Sequence, residues 1–315
     1  MTANVKLYVD EAMGRYGFPD GHPWGADRQA AFWKEARKQG LDQRATLARS
    51  RLADQDEIAR FHTASHVERV ETLSAEGEGY IDYGDTPAFN GVYEASAHVV
   101  GAALEGLQSI MEGECVRTFQ PIGGLHHARR TGAAGFCVFN DCGVVIDTLR
   151  EQYGLRRIAY VDIDVHHGDG LYYPYEDDPD LIFADIHEDG RFLYPGTGHA
   201  SERGKGGGEG LKLNIPMPPG AGDAEFYRVW ERVEEHLLQY RPEFIVFQCG
   251  ADSIDGDPLA HLKYTPAAHA HAAKRLCALA NELCDGRLMG FGGGGYNRRN
   301  LAEGWCAVLN EFTRA

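Results

Sequence analysis

The order of apolar and polar positions changes character near residue 118. Before that point, residues 1–80 show a polar, helical pattern with amphipathic stretches at 28–40 and 54–73. A helix rich in Ala, Val and Leu is predicted at 95–111. After that point, short apolar runs alternate with longer helical patterns and Gly-rich turns.

The second part of the chain predicts a sheet with helices packed on it. Strands are predicted at 157–165, 181–186, 211–217, 243–249 and 287–291, and helices at 136–152, 224–240 and 265–284. The runs FIVF and IAYVDI are apolar on both faces, which is typical of strands in a parallel sheet covered by helices. We therefore predict an α/β fold, an open parallel sheet flanked by helices, in a single domain over 1–315. The segment 202–210 is predicted as a flexible loop.

Composition and charge narrow the class of protein. The 315 residues are 43% hydrophobic and 25% charged, a usual globular composition. Acidic residues outnumber basic ones 47 to 31, and the net charge of −16 predicts no nucleic-acid and no membrane partner. The cysteines are odd in number at 7 and form no CxxC pair, and the start does not resemble a signal peptide. These features predict a reduced, cytoplasmic protein.

The run YVDIDVHHGDG at 160–170 is the densest cluster of chemically active side chains. In an extended strand, Asp162, Asp164 and His166 would project to one face. Two carboxylates and an imidazole are ligands for a divalent cation, and a turn or cap network is the alternative. Burying acidic groups in an apolar strand is costly unless they are paired or bind a metal, which favours the metal.

A third metal ligand is predicted at the end of another strand. Asp252 directly follows the apolar run at 243–249, although an aspartate there could also cap a helix. Ligands of open parallel sheets bind beyond the carboxyl ends of the strands. An Asp–His–Asp set leaves a coordination position open for water and substrate, as in catalytic sites.

Two further motifs carry candidate catalytic groups. The adjacent His126 and His127 suit proton transfer beside a metal-bound water, unless they are incidental surface residues. Tyr296 follows four glycines at 292–295, and its hydroxyl could polarise a carbonyl. The glycines allow close approach to a ligand, but the motifs of a phosphate cradle, GxxxxGK[ST] and GxGxxG, are missing.

One histidine pair is set aside. His62 and His66 have the i, i+4 spacing of a zinc-binding helix, but the glutamate of HExxH is missing between them. Structural or surface roles are predicted for both.

Eight ordered segments together resemble the histone deacetylase superfamily, which includes bacterial acetoin-utilisation-type deacetylases and acetylpolyamine amidohydrolases. They are HP at 22–23, GDTPAFNGVYE at 84–94, GGLHHA at 123–128, GFCVFND at 135–141, YVDIDVHHGDG at 160–170, YPGTG at 194–198, GADSIDGDP at 250–258 and GGGGY at 292–296.

The resemblance implies the arginase–deacetylase fold and a zinc ion held by Asp164, His166 and Asp252. It also implies hydrolysis of N-acyl amides, above all acetyl-lysine side chains, to acetate and a free amine. Tyr296 matches the tyrosine that polarises the amide carbonyl in that family.

The resemblance also implies a role for each histidine. His127 matches the main general base and acid, and His126 matches the residue that chiefly gives electrostatic support. Asp162 and Asp169 match the carboxylates that accompany the two histidines.

The expected substrate is an acylated lysine peptide or a small acylated amine. Gly135, Phe136 and Tyr194 match the tunnel that receives the acyl-lysine chain, and Asp85 matches the rim carboxylate that holds the substrate backbone. Leu259 lies where polyamine-specific members carry an acidic residue, which favours acetyl-lysine over acetylpolyamines.

Some expectations remain open on the sequence alone. Asp185 stands where many relatives have a serine at a structural potassium site, and its extra carboxylate is expected to favour a cation there. An acetylpolyamine amidohydrolase and a manganese ureohydrolase are the other enzyme hypotheses. A non-catalytic acyl-lysine binding protein would be expected to lose Tyr296 or a histidine. A homo-oligomer is also possible.

Overall fold

The computed structural model describes residues 5–315, which contribute eight strands to one sheet. The strands are β1 (Val5–Tyr8), β2 (Thr46–Ala48), β3 (Arg117–Gln120), β4 (Ile158–Asp162), β5 (Leu181–Glu188), β6 (Lys212–Met217), β7 (Phe244–Gln248) and β8 (Leu288–Phe291). Their order is β2-β1-β3-β8-β7-β4-β5-β6, and every neighbouring pair is parallel. The predicted fold class, an open parallel sheet flanked by helices, is confirmed.

Helices cover both faces of this sheet. Within residues 5–315 they are α1 (Glu11–Gly14), α2 (Arg28–Lys38), α3 (Gln55–Ile58), α4 (Ala64–Glu76), α5 (Val92–Met111), α6 (Asp141–Glu151), α7 (Asp169–Tyr172), α8 (Asp223–Tyr240), α9 (Pro266–Leu283) and α10 (Arg298–Phe312). Successive strand residues face opposite sides, so Tyr160 packs with α5 and α6 while Val161 packs with α2, α8, α9 and α10. No helix of the described residues is long and apolar enough to cross a membrane.

The structure corrects several predicted elements. Four elements were not predicted: the helix α10 and the strands β1, β2 and β3. These strands are only three or four residues long and lie in polar sequence. The predicted helix over 54–73 is two helices, since the chain is extended at Thr63 before α4 begins. The predicted helix over 136–152 starts only at Asp141, where Asn140 caps it.

The register of four central strands aligns their carboxyl ends at one edge of the sheet. Gln120 pairs with Phe291, Phe291 with Gln248, and Gln248 with Asp162. The last residues of β3, β8, β7 and β4 therefore lie in one row. The four segments that follow these strands leave the same edge of the sheet side by side, so their polar side chains converge.

Candidate active site

The three predicted metal ligands lie together at this edge. The strand β4 ends at Asp162, so Asp164 and His166 lie in the turn after it rather than within an extended strand. Two successive backbone-to-side-chain hydrogen bonds shape this turn. Asp164 N donates to Asp162 Oδ1 at 2.9 Å, and His166 N donates to Asp164 Oδ1 at 3.0 Å. With Asp252 from the turn after β7, their ligand atoms all lie within 4.8 Å of one another.

The donor atoms of this cluster fit a divalent cation. Asp252 Oδ2 is buried and has no hydrogen-bond partner, although it lies 3.3 Å from His166 Nδ1. Burial and the nearby Asp164 raise the pKa of Asp252 to about 7. A buried acceptor without a donor is costly, and a bound cation would satisfy it. Two carboxylates and one imidazole suit zinc, and they leave room for further ligands.

Two glycines leave space for these carboxylates. A Cβ on Gly250 would lie 2.0 Å from Asp164 Oδ2, and a Cβ on Gly294 would lie 2.0 Å from Asp252 Oδ2. Gly294 N also donates to Asp164 Oδ2 at 2.8 Å. The glycine run after β8 therefore lets the backbone pass directly against the predicted metal ligands, the close approach that the sequence predicted.

The tandem histidines lie beside the cluster and are both buried. His126 Nδ1 donates to Asp162 Oδ2, and His127 Nδ1 donates to Asp169 Oδ1, each at 2.7 Å. The two ring centroids are 4.2 Å apart. Each carboxylate fixes the orientation of one ring, which leaves the Nε2 atom free of that contact.

The two histidines differ in their protonation. Burial disfavours a charged imidazole, but the charges of Asp162 and Asp164 outweigh it and raise the pKa of His126 to about 9. Burial and the positive charge of His126 lower the pKa of His127 to about 4, although Asp169 opposes this. His127 is therefore the neutral member of the pair and can accept a proton.

Tyr296 lines the same cavity as His127, and two residues from outside its loop hold that loop in place. Asp257 Oδ2 accepts from Tyr296 N at 2.8 Å. The buried Arg28 of α2 donates to Gly293 O at 2.6 Å and to Gly295 O at 3.0 Å. Burial, with Asp252 and Asp164 nearby, raises the pKa of Tyr296 well above its usual range, so the phenol keeps its proton.

A tunnel of about 240 Å³ leads from the surface to these groups. Its lining includes His127, His166 and Tyr296 at the inner end. All five residues predicted to bind substrate also line it: Asp85, Gly135, Phe136, Tyr194 and Leu259. The structure thus brings the predicted catalytic, metal-binding and substrate-binding residues into one site, while the role of each stays a prediction.

Asp185, where an added cation was expected, has two hydrogen-bond partners within the protein. Asp185 Oδ1 pairs with His187 Nδ1 at 2.6 Å, and Asp185 Oδ2 accepts from Gly168 N at 2.9 Å. Burial opposes a charged His187, but the charge of Asp185 outweighs it and raises the pKa of His187. The extra carboxylate therefore already has an imidazole and a backbone N–H as partners, and the potassium site stays a prediction.

The histidines that were set aside are structural. Both His62 and His66 are buried, and His62 precedes α4 rather than lying on the same helix as His66. His62 Nε2 accepts from Asn140 N at 2.8 Å, and His66 Nε2 contacts Val138 O at 2.9 Å. They fix the segment that leads from the tunnel wall into α6.

Besides Arg28, sequence reasoning missed three residues that shape the site. Gln248 Nε2 donates to Asp164 Oδ2 at 2.8 Å, and as a polar residue ending an apolar strand it could have been found by the rule applied to Asp252. Asp257 lay within a motif but received no role. Arg129 donates to Asp169 Oδ2 at 3.1 Å, and no feature of the sequence distinguished it from other arginines.

Comparisons with known proteins agree with this geometry. The family described as "Histone deacetylase domain" matches residues 22–312. The chain is 34% identical to the acetoin utilization protein AcuC of Bacillus subtilis, over 94% of this chain and 79% of that protein. It is 31% identical to the histone deacetylase RPD3 of Saccharomyces cerevisiae, over 96% of this chain and 70% of that protein.

An archaeal relative and a solved structure complete the comparison. A probable deacetylase of Archaeoglobus fulgidus is 34% identical over 88% of this chain and 77% of its own length. The crystal structure of the HDA15 HD domain superposes with a TM-score of 0.91 at 28% identity, covering 100% of this chain and 89% of that one.

Proposed function

Because the chain belongs to the histone deacetylase family, we propose that it is a zinc-dependent deacetylase that hydrolyses N-acyl amides, above all acetyl-lysine side chains, to acetate and a free amine. The observation that carries the proposal is the convergence of an Asp–His–Asp cluster, two histidines and a tyrosine at the inner end of one tunnel. Zinc would be held by Asp164, His166 and Asp252, and when bound it supplies Lewis-acid polarisation of the acyl carbonyl and of a water.

His127 moves the proton in the proposed reaction. Its Nδ1–H is directed to Asp169, so the lone pair of a neutral ring lies on Nε2, which faces the tunnel. Nε2 takes the proton of the attacking water as the C–O bond forms, and it returns that proton to the amine nitrogen as the C–N bond breaks. The charged His126 beside it stabilises negative charge that develops on the acyl group.

Tyr296 supports the same step. Its protonated hydroxyl donates to the carbonyl oxygen, and this bond strengthens as the oxygen becomes an oxyanion. Arg28 and Asp257 act as positioning residues, since they hold the backbone on either side of Tyr296.

The tunnel favours a long, narrow acyl-amine chain. Phe136 and Tyr194 provide aromatic walls, and Leu259 offers no charge to a secondary ammonium group. We therefore propose acetyl-lysine substrates in preference to acetylpolyamines. The 7 cysteines are all unpaired, which supports the proposed location in the reducing cytoplasm.

The experiment that tests the proposal combines metal analysis with an assay on acetyl-lysine peptides. The native chain should contain about one zinc per chain, and Asp252→Ala should lose both zinc and activity, because two remaining protein ligands hold the ion too weakly. The matched control is Asp255→Ala, an exposed aspartate of the same turn, which should keep both. Full zinc in Asp252→Ala would overturn the ligand assignment, and a zinc-loaded native chain without deacetylase activity would overturn the function.

A further inference from the structure

The tunnel opens into a wider cavity of about 400 Å³, which we call the vestibule. It shares Asp85, Gly135 and Tyr194 with the tunnel and is further lined by Asp82, Tyr83 and Arg129. A substrate whose acyl chain fills the tunnel must therefore place the other end of the molecule in the vestibule. The groups that line the vestibule decide what that end can be.

Arg129 gives the vestibule a positive charge with unused donors. Its side chain is 58% exposed, and Nη2 donates to Asp169 Oδ2 at 3.1 Å. A guanidinium has five N–H donors, and within residues 5–315 no other hydrogen bond from this one is formed. In a protein with a net charge of −16, a cation at the mouth of the tunnel provides a specific site for a carboxylate.

Asp85 gives the same cavity a carboxyl group without a cation paired to it. No lysine, arginine or histidine of the described residues forms an ion pair with Asp85 or with its neighbour Asp82. Partial burial and the neighbouring Asp82 raise the pKa of Asp85 to about 7. A ligand cation at Asp85 would relieve this repulsion and favour the ionised carboxylate.

Arg129, Asp85 and Tyr194 line the same cavity. Burial raises the pKa of Tyr194 above its usual range; the carboxylates of Asp169 and Asp85 raise it further, and Arg129 lowers it. Asp85 and Tyr194 also line the tunnel, so these groups lie where the vestibule meets the tunnel. A substrate end that carries one positive and one negative group complements this arrangement.

We propose that the vestibule binds the zwitterionic end of a free Nε-acyl-lysine, with Arg129 holding the α-carboxylate and Asp85 holding the α-ammonium group. The inference rests on the proposed function, because it assigns the substrate class of the same site. An internal acyl-lysine of a peptide presents only uncharged amides at this position, and an acetylpolyamine presents no carboxylate. The amide carbonyls of a peptide accept weaker hydrogen bonds from Arg129 than a carboxylate does, and the free part of an acetylpolyamine offers no acceptor.

Four acetylated compounds test the proposal on the zinc-loaded protein by kcat/KM. They are free Nε-acetyl-lysine, its α-amide, its Nα-acetyl derivative, and a blocked tripeptide with acetyl-lysine in the middle. A charge-assisted hydrogen bond is worth about tenfold to a hundredfold, so the free amino acid should exceed both the amide and the Nα-acetyl derivative by at least about tenfold. A second tripeptide with glutamate beside the acetyl-lysine distinguishes a side-chain carboxylate from the α-carboxylate and should gain nothing.

The variant Arg129→Gln assigns the carboxylate contact. Because Arg129 also touches Asp169, this variant is expected to lose some activity on every substrate, so the readout is the ratio of free acid to α-amide, which should fall to about one. Arg191→Gln, which removes an exposed arginine outside the vestibule, should keep the native ratio.

The outcomes separate this proposal from the one on which it rests. Hydrolysis of the blocked tripeptide with no preference for the free amino acid would overturn the zwitterion site alone, as would an unchanged ratio in Arg129→Gln. A preference for the glutamate tripeptide would overturn the assignment to the α-carboxylate. A zinc-loaded protein that hydrolyses none of these compounds would overturn the proposed deacetylase itself.

Discussion

Removing the hydroxyl of Tyr296 is the smallest change that tests the site. Tyr296→Phe removes one oxygen that should act mainly on the developing oxyanion, so we expect kcat to fall by about 10²–10³ with little change in KM. Steady-state kinetics on an acetyl-lysine substrate measures both constants. Tyr227→Phe, an exposed tyrosine of α8, is the control and should behave as the native protein does. An unchanged kcat would make Tyr296 a packing residue.

Single functional residues could be predicted where a polar side chain lies close to the end of an apolar strand. Asp252 and the histidine His166 were found because polar side chains close to an apolar run must be paired or bind a ligand. Arg28 and Arg129 were not, since both lie in polar sequence and become important only through contacts distant along the chain. Arg28, for example, reaches the glycine loop that precedes Tyr296.

At the scale of elements, the loop after β8 passes the predicted metal ligands at a position where no side chain fits. Gly294→Ala would place a Cβ 2.0 Å from Asp252 Oδ2, so we expect loss of zinc and activity without global unfolding. Elemental analysis and circular dichroism measure the two effects. Gly132→Ala is the matched control, because a Cβ there meets nothing within 4 Å and it should keep its zinc. Full zinc occupancy in Gly294→Ala would contradict the close approach of this loop to the ligand.

The bounds of long, partly buried helices were predicted more accurately than those of short strands. The helices α8 and α9 agree with the predictions to within one residue at each end, since each has a long amphipathic or apolar pattern. The strand β3 was missed because RTFQ contains a buried arginine. Arg117 donates there to Ala315 O at 3.0 Å and to Asn281 Oδ1 at 2.7 Å, contacts that no local pattern reveals.

The edge strand β6 carries a buried lysine whose charge should make stability depend on pH. Lys212 Nζ donates to the carbonyls of Asp178 and Leu181, and burial lowers the pKa of Lys212 to about 8. The unfolded chain keeps this proton up to about 10.4. Between those values the unfolded state binds more protons, so the contribution of Lys212 to stability rises with pH and is lost as pH falls through 8.

Urea unfolding of the native chain and of Lys212→Met tests this expectation. The difference in unfolding free energy should shift in favour of the native chain between pH 8 and pH 10. Lys263→Met removes an exposed lysine instead and should leave the native pH dependence in place. A constant difference between the native chain and Lys212→Met would show that the charge of Lys212 does not respond to burial.

For the whole molecule, the sheet ties distant parts of the sequence together. Strands from residue 5 to residue 291 belong to one sheet, and apolar clusters cover both of its faces. We therefore propose that 1–315 forms a single domain. The parallel architecture followed from the alternation of apolar strands and helices, but the strand order did not, because it depends on which distant strands pair.

That strand order also affects how the protein is made. The last strand, β8, is inserted between β3 and β7 in the middle of the sheet, and Arg117 of β3 pairs with Leu288 of β8. A ribosome has therefore synthesised nearly all of the described chain before the centre of the sheet can close. Tyr296 follows β8 in the sequence. A nascent chain whose β8 segment is still inside the ribosome therefore lacks Tyr296 in the site, and it cannot complete the set of catalytic groups until this segment emerges.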